Sequence, residues 1–561
     1  MKIKGITLVA ATLLVSCSLW AATPKWVKNA SKAMLKVSTF DENGNMIGNT
    51  NGFYITDNGV AVSAYAPFKG AAKATVIDAQ GKELPVEYIL GANSTYDVVK
   101  FRVASGKSNA TLQYATATPN DSDEVTLMQY ALKKQGEAVT GRVCKTEKVK
   151  EAFNYYTLAM GVPAGAENCP LFDSEGLLLG IVQQPMNESD TINYAIGISF
   201  ADSLNITGLS INDATLNSIG IKKALPDTYD QAILSLYLGE SLSDSVRFRT
   251  IIEDFITKFP QKPDGYTYRA QQYVNSGKYA EAQKDMEQAI KVSEKKDETH
   301  FDYAKLICNK ETYHADDEYK PWSKEEALKE VDKAVEINPL PYYSSYKGDI
   351  LYSMQRYDEA AETYKALTAT NMGGAELYYK IARCYEQKED TAAMAAMLDS
   401  AVNCFPRPFV RAAAPYLLAR AQALYKCKKY RASVNDFNEY EKLMLMSLND
   451  NFYYIRMQAE LDGRLYQQAI NDISKAIEMN PAEPAYKAEL ASIYIRVNMI
   501  DEAITAARVC VKQAPEMSDG YLFLGLAQCL KGSKEEGKKN LEKALAMGNQ
   551  QAQTLIDKYA K

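Results

Sequence analysis

Histidine is almost missing from this chain: 561 residues contain two, His300 and His314. Imidazole is the side chain that most readily exchanges protons near neutral pH, so histidine-based catalysis is excluded from everything before residue 300. No basic block is present that could follow a phosphate backbone, and Lys plus Arg number 64 against 70 acidic residues, a net charge of −6. Nucleic acid is thereby excluded as a partner. Nine cysteines are present, but Cys308, Cys384, Cys404, Cys427, Cys510 and Cys529 are scattered through a helical region without metal-ligand spacing. Neither a metal nor a cofactor is expected.

The N-terminus carries Lys2 and Lys4 ahead of an apolar run from Ile6 to Val15. That run is long enough for a signal-peptide core and too short to cross a bilayer, so residues 1–22 are read as an export signal. Leu14-Val15-Ser16-Cys17 fits a lipobox, which would leave Cys17 lipidated. Leu19-Trp20-Ala21 fits ordinary cleavage, leading into Ala22-Thr23-Pro24-Lys25. The expected location is the periplasm, with an outer-membrane lipoprotein as the alternative, so membrane contact would be made only through a lipid anchor. Loss of Lys2 and Lys4 leaves 62 basic against 70 acidic residues, about −8.

The mature chain has two periods. From about Ala33 to Ser199, eleven short candidate strands alternate with Asn-Gly, Asp-Asn-Gly and Gln-Gly turns, as in an all-β barrel or sandwich; the β domain is placed at 24–206. Residues 207–228 are read as a linker. From Tyr229 to residue 561 the period is helical and a unit of about 34 residues recurs. One unit begins at Tyr266 and continues through Ala270, Tyr273, Gly277, Tyr279, Ala282, Met286 and Ala289. Equivalent small and aromatic positions recur at Gly348, Tyr357, Ala360 and Tyr364, and again at Tyr453, Tyr466, Ala469, Ile473, Ala476 and Pro481. About nine units are expected. The pattern resembles the tetratricopeptide repeat (TPR), a helix-pair solenoid with a concave protein-binding groove.

Within the β half, Gly165-Ala166-Glu167-Asn168-Cys169-Pro170-Leu171-Phe172 precedes a hairpin, Asp173 to Gly176, and an apolar strand, Leu177 to Val182. This resembles the nucleophile loop of trypsin-like proteases in their bacterial, periplasmic form, with Glu167 where the family has its serine. Asn51-Gly52-Phe53-Tyr54-Ile55 and the strand after it resemble the segment that ends in the family's catalytic histidine, and Tyr65 falls at that position. Leu90 to Phe101 resembles the segment that supplies the aspartate, so Asp97 is the retained member. The implied fold is a trypsin-like double barrel followed by a TPR solenoid, a pairing that looks like exported proteins of Bacteroidetes-like Gram-negative bacteria.

The resemblance implies a degenerate triad. Losing the serine or the histidine of a triad costs about 10⁶ in turnover, and no histidine is available in the domain to replace the base. Cys169 as a nucleophile meets the same objection; a buried or disulfide-paired role, with Cys144 as partner, is the reading kept open by an exported location. Pairing Asp97 with Glu167 as two carboxylates for acid–base work is a lesser alternative.

Groove positions read from the first helix of each unit are Tyr342, Asp349, Tyr352, Tyr379, Arg383, Gln422, Tyr425, Tyr454, Gln458 and Arg496. Tyrosine offers rigid area and a hydroxyl at small entropic cost, which suits a protein or peptide partner. The leading expectation is a non-catalytic protein-binding scaffold whose β domain could also take an extended peptide as an added strand. An active serine endopeptidase and a purely structural envelope assembly protein are the rivals.

Overall fold

The computed structural model describes residues 25–104, 112–185, 187, 190–242 and 244–560. The expected signal peptide and Cys17 lie outside the described residues. The chain divides into two compact units, one running to Tyr273 with Glu281–Val292, the other comprising Val274–Ala280 and the chain from Ser293 onward.

The first unit holds two closed antiparallel barrels. Barrel one is β1 (Met34–Phe40), β2 (Met46–Tyr54), β3 (Val60–Ser63), β4 (Lys73–Asp78), β5 (Glu83–Asn93) and β6 (Val98–Val103). Barrel two is β7 (Glu124–Met128), β8 (Ala138–Val149), β9 (Phe153–Ala159), β10 (Pro170–Phe172), β11 (Leu178–Val182) and β12 (Ile192–Gly197). The strand order β1-β2-β3-β6-β5-β4 closes through β4 on β1, and the same neighbour relations recur in β7 to β12. Alternation explains the inner face of β1, where Leu35 and Val37 are buried. β3 and β11 are buried along their whole length; β11 reads as an unbroken apolar run, and β3 is apolar up to buried Ser63, which donates to the Asn51 carbonyl.

The interiors are filled by large side chains, among them Phe68 and Phe101 with centroids 5.3 Å apart. A helix at Lys25–Ala33 sets Trp26 5.1 Å from Phe172. Trp26 also covers the hairpin at Gly176, where φ is +84° and an added Cβ would lie 2.3 Å from the indole. Only glycine satisfies both conditions.

Residues 207–228, expected as a linker, are instead packed. They form a 3₁₀ turn (Gly208–Asn212) and a short helix (Ala214–Asn217), and Leu216, Ile219 and Ile221 join the β-domain core. The chain then adds to the outer edge of β5: Ile89 N–H donates to the Lys222 carbonyl at 2.8 Å, and Ala224 N–H donates to the Ile89 carbonyl at 2.9 Å. An edge that would otherwise be open to another chain is covered in cis.

The paired helices begin at Tyr229. Among the described residues the helices fall into nine sequential pairs, the first Tyr229–Gly239 with Ser245–Lys258 in the first unit and the last Ser518–Lys531 with Lys534–Ala546 in the second, followed by Gln551–Tyr559. Small residues permit close helix approach: a Cβ on Gly348 would lie 2.4 Å from the ring of Tyr364, which is itself buried. Polar links repeat as well. In the second unit Arg420 holds Asp436, and Arg456 holds Asp472, each through two hydrogen bonds of 2.6–2.9 Å. In the first unit Arg269 holds Asp285 in the same way at 2.7 and 2.8 Å. Asp450 accepts from Asn480 and Tyr486 of following helices, both at 2.9 Å, and Asp297 accepts from Asn338 and Tyr343. The insertion before the helix at Lys324–Ile337 is anchored by buried Trp322, which donates to the Tyr303 hydroxyl at 3.0 Å.

Candidate functional site

The loop before β10 turns through two left-handed residues, Gly165 (φ 80°) and Asn168 (φ 61°). Asn51, on β2 and 1% exposed, holds the loop from the other barrel: its Nδ2 donates to the carbonyls of Gly165 (2.8 Å) and Glu167 (2.9 Å). Asn168 Nδ2 donates to Thr50 Oγ1 at 3.1 Å, and Asn168 N–H donates to the Val182 carbonyl. Thus the backbone of the nucleophile-like loop is fixed between β2 and β11, with Glu167 half-buried at its turn.

Tyr65 follows β3 and is 7% exposed. Its hydroxyl shares a 2.6 Å hydrogen bond with Ser218 Oγ, which in turn donates to the Thr215 carbonyl. The phenol is therefore a packing residue tied to the segment after the barrels. Asp97, at φ 51°, accepts the Ala66 N–H on Oδ1 at 2.7 Å, while its carbonyl accepts the Tyr65 N–H at 3.3 Å. The retained carboxylate fastens the turn that begins at Tyr65. Among the described residues Asp97 is engaged with the backbone of Tyr65 and Ala66, and no hydrogen bond joins Tyr65 or Asp97 to Glu167.

The Cys144–Cys169 disulfide is not formed either: both thiols are free. Cys144 sits exposed on β8, whereas Cys169 is fully enclosed in the core. Burial pushes the Cys169 thiol up to about 12, with the charge of Glu167 adding to the effect. That is the opposite of what a thiolate nucleophile needs.

Closed barrels leave few places for strand addition. Beyond the β5 edge taken by residues 222–224, the outer part of β8 from Lys145 onward pairs, among the described residues, with β9 alone. This stretch is studded with Lys145, Glu147 and Lys148, a charged edge of the kind that discourages pairing.

The expected groove residues separate into two groups. Tyr379, Arg383 and Gln422 line one small cleft, together with Glu386 and Lys426. Arg383 also lies over the ring of Tyr352 at 5.2 Å. Tyr342 is exposed and packs edge-on to Phe301. Asp349, Tyr425, Tyr454 and Gln458 are engaged within the solenoid. Asp349 accepts from the Tyr364 hydroxyl at 2.6 Å and from Lys380 at 2.7 Å. Tyr425 donates to Asp462. Tyr454 lies 5.1 Å from Tyr486 and bonds Gln458.

Sequence reasoning passed over Asn51, whose position directly before Gly52-Phe53 gave no sign of a contact more than a hundred residues away. It also passed over the Arg–Asp links, although their signal was available: an aspartate sixteen residues after an arginine at three corresponding repeat positions.

Comparison with known proteins agrees with this architecture. Residues 50–181 match the family described as the trypsin-like peptidase domain, and residues 265–296 and 347–415 match tetratricopeptide repeat families. The chain carries a trypsin-like peptidase domain followed by TPR repeats. It is 23% identical over 194 residues to the TPR repeat-containing protein MJ1428 of Methanocaldococcus jannaschii, covering 34% of this chain and 33% of that one. It is 32% identical over 88 residues to the TPR repeat-containing thioredoxin TDX of Arabidopsis thaliana, covering 16% of this chain and 23% of that one. The matches therefore span a third or less of these relatives.

Proposed function

We propose that this protein is a non-catalytic binding scaffold of the cell envelope, in which a trypsin-like domain without peptidase activity precedes a protein-interaction array. The observation that carries the reading is the fate of the base position: Tyr65 is enclosed and bonded to Ser218, and the two histidines of the chain lie at 300 and 314. A phenol held in this way supplies no imidazole nitrogen to take a proton from a nucleophile, and Glu167 supplies no hydroxyl to attack. The loop geometry is kept by Asn51 while both reacting groups are replaced, so the frame serves as structure.

Binding is favoured over a purely structural role by the cleft that Tyr379, Arg383 and Gln422 share with Glu386 and Lys426, where aromatic area and both charge signs converge as at protein interfaces. The test has two arms. Native protein incubated with casein should release no peptides, and release would overturn the non-catalytic reading. A photo-crosslinking residue at Gln422 should capture protein partners in cells that one at exposed Lys442 does not; equal capture would favour the structural alternative. The envelope location rests on the N-terminal Lys-flanked apolar run and is tested by cell fractionation, with metabolic lipid labelling of Cys17 separating tethered from free protein.

A further inference from the structure

A cavity of about 580 Å³ lies within the first unit, between residues 206–226 and the first helix pair. Its volume is in the range of ligand pockets. Its wall is mixed, with Ile206, Ile211, Ile219, Ile221 and Ile251 supplying aliphatic area beside polar and charged residues. Three cations line it, Lys222, Lys223 and Arg247, and their partners differ. Lys222 is neutralised by Asp254 at 2.6 Å. Arg247 spends Nη2 on neutral oxygens, Asn217 Oδ1 at 2.9 Å and the Ile211 carbonyl at 3.3 Å. Lys223 donates to the Ile219 carbonyl. Among the described residues neither Arg247 nor Lys223 has a carboxylate partner.

The cavity's other acids are committed or remote in character. Asp244 caps its helix by accepting the N–H groups of Val246 and Arg247, and Glu42 is exposed on the β1–β2 turn. Burial and the neighbouring Arg247 together pull the Lys223 ammonium down to about 8. Two cations that repel each other in a partly enclosed cavity are unfavourable by themselves, and an anion between them relieves both costs.

We propose that this cavity binds a carboxylate with an aliphatic body, its head between Lys223 and Arg247 and its body against Ile206, Ile211, Ile219 and Ile251. The aliphatic part of the wall distinguishes this ligand from a bare inorganic anion, which could use only the head site. The same chemistry is presented by a free medium-chain acid and by the C-terminus of a peptide ending in Leu or Ile, and the experiment separates them.

Titration calorimetry on the mature protein compares hexanoate, hexanol, inorganic phosphate and a Leu-ending tetrapeptide as free acid and as amide. Binding of hexanoate or of the free-acid peptide is expected, with the alcohol, the amide and phosphate at least about tenfold weaker. Lys223→Gln and Arg247→Gln should each weaken binding about ten- to a hundredfold. Hexanoate alone identifies a free acid as ligand; the peptide alone identifies a chain terminus. An independent readout uses native protein with ¹³C-dimethylated lysines: an anion beside Lys223 favours its charged form, so its titration midpoint should rise from about 8 on adding the ligand. This arm holds even if the variants misfold. Absence of binding by both acids, binding of hexanol as tight as hexanoate, or an unmoved Lys223 midpoint at saturating ligand overturns the proposal.

Discussion

Replacing Arg456 with methionine should be among the most damaging single changes to the helical array. The guanidinium is buried and engages three groups through four hydrogen bonds: Asp472 through two of 2.6 and 2.9 Å, Asn438 at 2.9 Å and Glu441 at 2.6 Å. Glu460 lies 3.8 Å away. Asp472 is 6% exposed, so methionine gives up the guanidinium's place over the rings of Phe452 and Tyr453 and leaves the enclosed Asp472 carboxylate without a cation. Breaking a buried pair in this way costs about 3–5 kcal/mol. Arg269→Met provides the internal control. Its Asp285 is as enclosed as Asp472, at 6%, but the Arg269 side chain is 20% exposed and its second partner, Glu253, is 49% exposed, so water takes over part of the lost interaction and the cost should be smaller, about 2–3 kcal/mol. Arrays of repeats lose structure locally, so urea melts followed at 222 nm should be paired with hydrogen exchange over residues 450–479. The reasoning fails if Arg456→Met loses less than about 1 kcal/mol or no more than Arg269→Met. Adding Asp472→Leu to Arg456→Met should recover much of the loss, since the stranded charge disappears with it.

Three further outcomes are expected. Glu460 is pushed up to about 8 by burial and by Asp472; a carboxyl raised on folding contributes stability below its unfolded pKa and loses it as pH climbs through the folded value. Glu460→Gln should therefore remove a decline in stability between about pH 4.5 and 8, and parallel melts of both proteins at pH 5 and pH 9 measure the difference. Asn51→Ala removes both bonds to the Gly165 and Glu167 carbonyls and should cost about 1–3 kcal/mol, with faster amide exchange at residues 165–169; unchanged exchange there would remove Asn51 from its assigned role. Dithionitrobenzoate at pH 8 should modify exposed Cys144 and Cys404 in the folded protein and leave Cys169 untouched until unfolding, as peptide mass mapping reads directly.

Much of this architecture is legible before folding because it repeats. Apolar–polar alternation and, at β3 and β11, short apolar runs bounded by turns mark eleven of the twelve described strands between Leu35 and Ile198; the twelfth, β10, has three residues and opens on Pro170, too short for either signal to register. Ala270, Ala282, Gly348 and Tyr364 recur at helical spacing because close packing imposes the same volumes on every pair. What escaped is the chemistry that links distant positions. Leu216, Ile219 and Ile221 sit among polar residues and look like a linker until β5 offers its edge. Asp349 and Tyr425 occupy the right helices for a groove, yet Lys380, Tyr364 and Asp462 engage them, and partners of that kind are set by how helices stack. At the triad-like loop the residue types were readable, whereas the Ser218 bond that locks Tyr65 depends on a segment 153 residues later.

The central claim is that the trypsin-like frame holds no working nucleophile, and labelling by a serine-reactive fluorophosphonate probe tests it most directly. The native mature protein and a Glu167→Ser variant would be treated side by side with a boiled control, and labelled peptides identified by mass spectrometry. The account predicts no folding-dependent label on either protein, because restoring a hydroxyl at 167 leaves Tyr65 in place of a base. Stoichiometric, heat-sensitive labelling of a serine or threonine in the β domain of the native protein would contradict it.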